Sequence, residues 1–271
     1  MTPVATYLLK SMGKQVFASD FLNFPTVLAS ATVANSKHRI DANALKQLVA
    51  VRRKGPHFIE ETFGGVFFAT SDLQFLDRVS ANIDDLAHPQ QRALAKAALI
   101  RSRLKKQPRG VFTISGDLSH YDDGRRDLRL SIEEHFSEQV TVFNKVVFDN
   151  GKRHAVKRAD VFRLKPTGVD LAYLDPPYVP RSDDNCYMKR YHFLEGLSCY
   201  WRGVRIMQDT SPRTSSPRGC MVLGAAQVSV SSRTARMLWA FCPIFRASDC
   251  WRPWPWRPIG HRTGAMSWSN D

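Results

Sequence analysis

Val169-Asp170-Leu171-Ala172-Tyr173-Leu174-Asp175-Pro176-Pro177-Tyr178 carries the most specific local pattern in this chain of 271 residues. An apolar run opened by Gly168 and closed by an aspartate and two prolines reads as a buried strand of a parallel sheet. Helices on both faces of such a sheet remove the usual polar alternation. Open α/β sheets place their sites at the carboxyl ends of these strands. The pattern therefore predicts an α/β fold with Asp175 at the mouth of a site.

Two segments upstream repeat the arrangement. Gln15-Val16-Phe17-Ala18 reads as a short strand stopping at Ser19-Asp20, and Ala155-Val156 leads to Asp160-Val161-Phe162. An acidic residue thus stands at or near the end of each expected strand: Asp20, Asp160 and Asp175. Val4 to Met12 reads as a helix ended by Gly13, and a second helix is expected from about Pro25 to Asn35. Residues 43–149 are too many for a simple βα connection, so they should hold structure of their own. Within them, Asp84 to Leu104 reads as a helix or helix pair and Val111 to Ser115 as a strand. His120 to Arg129 reads as a polar loop and Ile132 to Phe143 as a helix.

The chain carries 39 Lys+Arg against 25 Asp+Glu, a net charge of +14, which favours a polyanionic partner, nucleic acid first. A 43% hydrophobic content with mean hydropathy −0.32 excludes a disordered chain and a polytopic membrane protein. The N-terminus lacks the features of a secretory signal, so a cytoplasmic protein without membrane attachment is expected. Five cysteines without a Cys-x-x-Cys pair argue against a disulfide framework and a zinc site, and no metal is expected. Cys186 and Cys199 read as inert.

The composition changes abruptly after Thr210. Residues 211–271 hold eight Arg, two Asp and no Lys, Glu or Tyr, and so account for +6 of the net charge. They also contain five of the six Trp and six of the fifteen Pro. Trp251 to Pro258 fits neither a helix interior nor a central strand.

Asp175-Pro176-Pro177-Tyr178 suits one kind of chemistry. Two successive prolines remove two backbone donors and fix φ, leaving a rigid main chain with unpaired carbonyls. A carboxylate, a fixed carbonyl and an aromatic face then stand together. Asp175 and the Pro176 carbonyl can accept the hydrogens of an exocyclic amine on a flipped base while Tyr178 stacks on its ring. The amine lone pair is thereby aimed at an electrophilic methyl group by positioning and electrostatics.

Tyr173-Leu174-Asp175-Pro176-Pro177-Tyr178 resembles the catalytic motif of adenine-specific, N6-amino DNA methyltransferases, within the Dam-like group that carries an inserted target-recognition region. The resemblance continues from Val179-Pro180-Arg181 through Tyr187, Tyr191 and His192 and covers about residues 4–210. It implies a Rossmann-like, S-adenosylmethionine-dependent methyltransferase sheet with a helical insertion, acting on an adenine flipped from double-stranded DNA. Asp175, Pro176, Pro177 and Tyr178 would be catalytic. Asp20, Asp160 and Phe162 would bind the methyl donor. Arg181, Tyr187, Lys189, Arg190 and Tyr191 would contact DNA. The implied division is a partial donor-binding part (1–42), the inserted region (43–149), a catalytic part (150–210) and an out-of-frame or disordered tail (211–271). A cognate restriction endonuclease is a partner the group implies.

The chain departs from the group at both ends. No Phe-x-Gly-x-Gly loop precedes the first helix, so the sheet is expected to be incomplete and the start truncated; a frameshift near residue 210 is the expected origin of the tail. Two alternatives stay open: an inactive or merely DNA-binding remnant, and methylation of adenine in RNA or of N4 of cytosine. Arg101, Arg103, Lys105, Lys106, Arg109, Arg125, Arg126 and Arg129 read equally as phosphate contacts or as a solvated face.

Overall fold

The computed structural model describes residues 4–52, 55–65, 68–107, 124–165, 167–175, 187–204 and 206. Among these, helices dominate around a parallel pair of strands. The chain opens with α1 (Val4–Ser11), which ends at Gly13 in the left-handed region (φ 74°) that glycine adopts without strain. Strand β1 (Phe17–Asp20) begins two residues later than the sequence predicts. It leads into α2 (Asn23–Ala29), which continues as a π-helical turn over Ser30–Ala34.

Strand β2 (Ala155–Arg158) pairs in parallel with β1, from Phe17 opposite Ala155 to Asp20 opposite Arg158. The α2 segment packs on both strands, burying Ala18, while Phe17 and Ser19 on the other face are exposed. His154 fixes the start of the pair. Its Nδ1 accepts the Val16 N–H (3.2 Å), which places the proton on Nε2, toward Asn150 Oδ1 at 2.8 Å. Asn150 in turn donates to the carbonyls of Lys10 and Lys14 at the end of α1.

The region between the strands is helical where it is described. Helices α3 (Ala42–Val49), α4 (Phe58–Phe63), α5 (Thr70–Asp84), α6 (Pro89–Lys105), α7 (Arg126–Arg129) and α8 (Ile132–Lys145) follow in order. The range Asp84 to Leu104, expected to hold a helix or helix pair, holds the single helix α6, with Pro89 at its first position, where a missing N–H costs nothing; Asp84 ends α5, a helix the sequence reading did not place. Short α7 lies inside the expected polar loop, and the strand expected at 111–115 lies outside the described residues. A capping box starts α8: Ser131 accepts the Glu134 N–H while Glu134 accepts the Ser131 N–H.

The core forms where apolar faces at helical spacing meet. Leu73, Leu76, Val79 and Ile83 of α5 pack with Leu94 and Ala98 of α6, Ile132, Phe136 and Val140 of α8, and Phe193, Leu194 and Leu197 of α9 (Tyr187–Cys199). Asp77, itself buried, caps α4 from inside by accepting the N–H groups of Ile59 and Glu60, both at 3.0 Å.

One expected strand does not form. Residues 169–174 are irregular, and Leu171, Tyr173 and Leu174 are exposed. Strand backbone groups are satisfied only by a neighbouring strand, and among the described residues the sheet consists of β1 and β2 alone.

Candidate active site

Parallel pairing brings the carboxyl ends of β1 and β2 to one edge. Asp20 is the last residue of β1, and its carbonyl accepts the Ala159 N–H at 2.9 Å, so Asp160 follows directly beside it. The Asp20 carboxylate turns back on its own chain, Oδ1 accepting the Leu22 N–H at 2.8 Å. Burial pushes its pKa up, the Leu22 and Phe21 amides oppose that rise, and the negative charge of Asp175 adds to it.

Asp160 caps a single 3₁₀ turn (Val161–Arg163), its Oδ1 accepting the Phe162 N–H at 3.0 Å. The cap turns the next two side chains outward: Val161 and Phe162 are exposed, Phe162 by 62%. An exposed aromatic ring is unusual unless something covers it. Here it stands one residue from a carboxylate, a pairing that offers a stacking face and hydrogen-bond acceptors together.

The sequence reading missed the residue that ties this edge together. Glu195 of α9 is buried, and its carboxylate accepts the N–H of Asn23 (2.8 Å) and of Phe24 (2.9 Å) at the start of α2. Asn23 Nδ2 donates to Ser198 Oγ, one turn along α9. Arg158, at the end of β2, donates from Nε to the Phe21 carbonyl (3.0 Å) and approaches Glu195 Oε1 at 3.8 Å. Burial pushes the Glu195 carboxyl up, and the two amides and Arg158 pull it back. One carboxylate thus joins the helix following the Asp-Pro-Pro-Tyr run to the loop carrying Asp20. Nothing local in the sequence signals this, because donor and acceptor are more than 170 residues apart.

The structure thus brings Asp20, Asp160 and Phe162 to the carboxyl side of the strand pair. Pro176, Pro177, Tyr178 and Arg181 lie outside the described residues, as do the side chains of Tyr187, Lys189 and Arg190. Tyr191 is described, and its ring stacks on Phe24 with centroids 5.4 Å apart, against the core. That ring positions α9 on α2, and a base would have to displace Phe24 to reach its stacked face. The basic cluster of α6 is also corrected in part. Arg103 is buried over the ring of Phe68, Lys105 pairs with Asp127 (3.0 Å) and Lys106 with Asp72 (2.7 Å). Arg126 likewise pairs with Glu138. Carboxylates brought in from other helices neutralise charges that looked available for phosphates.

Residues 3–211 match the family model of the D12 class N6 adenine-specific DNA methyltransferases. The chain belongs to that family. It is also similar to the Type II methyltransferase M2.HphI of Haemophilus parahaemolyticus, 33% identical over 181 residues. The match covers 62% of this chain and 54% of the relative, so the chain spans about half the length of that protein. No solved structure matches.

Proposed function

We propose that the chain transfers a methyl group from S-adenosylmethionine to N6 of adenine in double-stranded DNA, on an incomplete Rossmann-like sheet. The observation that supports this reading is that Asp20 and Asp160 lie at the carboxyl edge of one strand pair, in a chain of the D12 family that also carries the Asp175-Pro176-Pro177-Tyr178 run. The residues present fit the methyl donor. Phe162 offers an exposed face for its adenine and Asp160 an acceptor beside it. The Asp20 carboxylate has acceptor capacity beyond its backbone bonds, enough for a ribose hydroxyl or the methionine ammonium. When bound, S-adenosylmethionine supplies an electrophilic methyl carbon.

Asp175 and the Pro176 carbonyl would accept the N6 hydrogens, and Tyr178 would stack on the extruded adenine. The N6 lone pair would form the new bond to the methyl carbon, the sulfur would keep the electron pair of the broken bond, and the N6 proton would pass by way of Asp175 to water. Holding the amine hydrogens raises the availability of that lone pair without a covalent enzyme intermediate. Arg181, Tyr187, Lys189 and Arg190 would meet the DNA beside the flipped base, with Tyr191 anchoring their helix on Phe24. A cognate endonuclease remains a partner to test by co-purification.

Two measurements decide the reading. Calorimetric titration with S-adenosylmethionine should give a saturable isotherm with micromolar affinity, and a flat trace would support a non-catalytic remnant instead. Incubation with donor and duplex DNA should yield N6-methyladenine. Methylated RNA adenine or N4-methylcytosine in its place would move the activity to those substrates.

A further inference from the structure

We propose that Lys152, Arg153, Lys157 and Arg163 form a contact surface for the sugar–phosphate backbone of duplex DNA, along the outer edge of β2. The proposal rests on the DNA-methylation reading. All four side chains are exposed, and no carboxylate pairs with any of them among the described residues. Two carboxylates lie in or beside the run, and both face backbone: Asp149 Oδ1 accepts the Gly151 N–H (2.9 Å) and Asp160 Oδ1 that of Phe162. The cations of α6 and α7 present the opposite case, since Lys105, Lys106 and Arg126 each meet a carboxylate.

The four cations stand on ordered backbone. Gly151 makes a left-handed turn (φ 74°), Asn150 Oδ1 accepts the Lys152 N–H (3.1 Å), and the Asp160 cap holds the turn bearing Arg163. Successive strand residues alternate faces, so Lys157, opposite Ser19, projects from the sheet face that α2 leaves open. Among the described residues β2 has β1 as its one neighbour, so the row is not covered by another strand. Exposed cations with no carboxylate partner attract a polyanion, and duplex DNA carries a phosphate charge about every 1.7 Å along its axis. The row leads toward Phe162 and Asp160, so DNA lying on it would run up to the candidate active site. Cations on an edge strand also deter pairing with other sheets, a role that needs no DNA.

Fluorescence anisotropy of the full chain on a duplex of about 30 base pairs, between about 50 and 200 mM KCl, separates these roles. The triple variant Lys152→Glu, Arg153→Glu, Lys157→Glu is compared with Lys37→Glu, Lys46→Glu, Lys145→Glu. The second triple, called the helix triple, carries the same charge change on exposed positions before α3, on α3 and on α8. The β2 triple is expected to bind at least tenfold more weakly, with a salt slope shallower by about 2.7, that is about 0.9 for each of three contacts. The helix triple should change affinity far less. Equal losses in both triples, or a wild-type chain without affinity for the duplex, would overturn the surface, and aggregation of the β2 triple with full DNA affinity would assign the row to edge protection. The corresponding Gln triple repeats the comparison should charge reversal prevent folding. Methyl transfer and donor titration on the wild-type chain read the methylation proposal separately, so a failure of one is not mistaken for a failure of the other.

Discussion

Asp20 and Asp175 are proposed for different work. The Asp20 carboxylate accepts the Leu22 N–H at the end of β1, whereas Asp175 opens the Asp-Pro-Pro-Tyr run in the sequence. Asp20→Ala is expected to weaken S-adenosylmethionine binding by roughly tenfold to a hundredfold, since hydrogen bonds to charged groups contribute about 1.5–3 kcal/mol; calorimetry reads this directly. Asp175→Ala should leave donor affinity intact, or raise it slightly as a like charge leaves Asp20. Its expected cost falls on methyl transfer, about 10²–10³-fold for a lost group of this kind. His154 carries a pH dependence of determinate sign. Burial lowers its pKa and nearby Lys10 lowers it further, so the folded state favours the neutral ring that accepts the Val16 N–H. A depressed folded value means the stabilisation is complete above the unfolded value of about 6.5 and is lost as pH falls through the folded one. Urea midpoints measured between pH 7 and 5 should therefore fall further for the wild-type chain than for His154→Gln.

At the scale of elements, α9 does more than follow the Asp-Pro-Pro-Tyr run in sequence. It contributes Phe193, Leu194 and Leu197 to the core, Tyr191 to Phe24, and Glu195 to the first amides of α2. A carboxylate reaching the start of another helix satisfies donors that the helix itself cannot. Glu195→Ala is expected to cost about 1–3 kcal/mol in urea unfolding, the range for buried donors left unmet. The end of α9 is equally constrained, because a methyl group at Gly196 would run into the ring of buried Trp201. Trp201 itself takes a left-handed backbone conformation (φ 54°), so its indole is placed by the main chain as well as by packing. Gly196→Ala should destabilise the fold by about 1–3 kcal/mol, as overpacking does, with a shift in Trp201 fluorescence to mark the site.

For the whole molecule, the donor should act as a stabilising ligand, because the groups proposed to hold it come together only on folding. At a donor concentration a hundred times its dissociation constant the gain is about 2.7 kcal/mol. In a protein of this size that is a rise in Tm of roughly 5–10 °C. Asp20→Ala should shrink the shift, and differential scanning fluorimetry with and without donor would measure it.

The amino-acid sequence by itself determined what local pattern can determine. It identified the Asp-Pro-Pro-Tyr run and an acidic residue after each expected strand, and it placed α1, α2 and α8 to within a few residues, because helical periodicity and caps act over one or two turns. The tertiary structure alone decided the rest. Glu195 meets α2 across more than 170 residues, and Lys105 and Lys106 find carboxylates on other segments, pairings that no window of sequence displays. The apolar run 169–174 marks the boundary between the two. Its composition suits a strand, yet a strand's hydrogen bonds are made with a neighbour, and this run pairs with neither β1 nor β2.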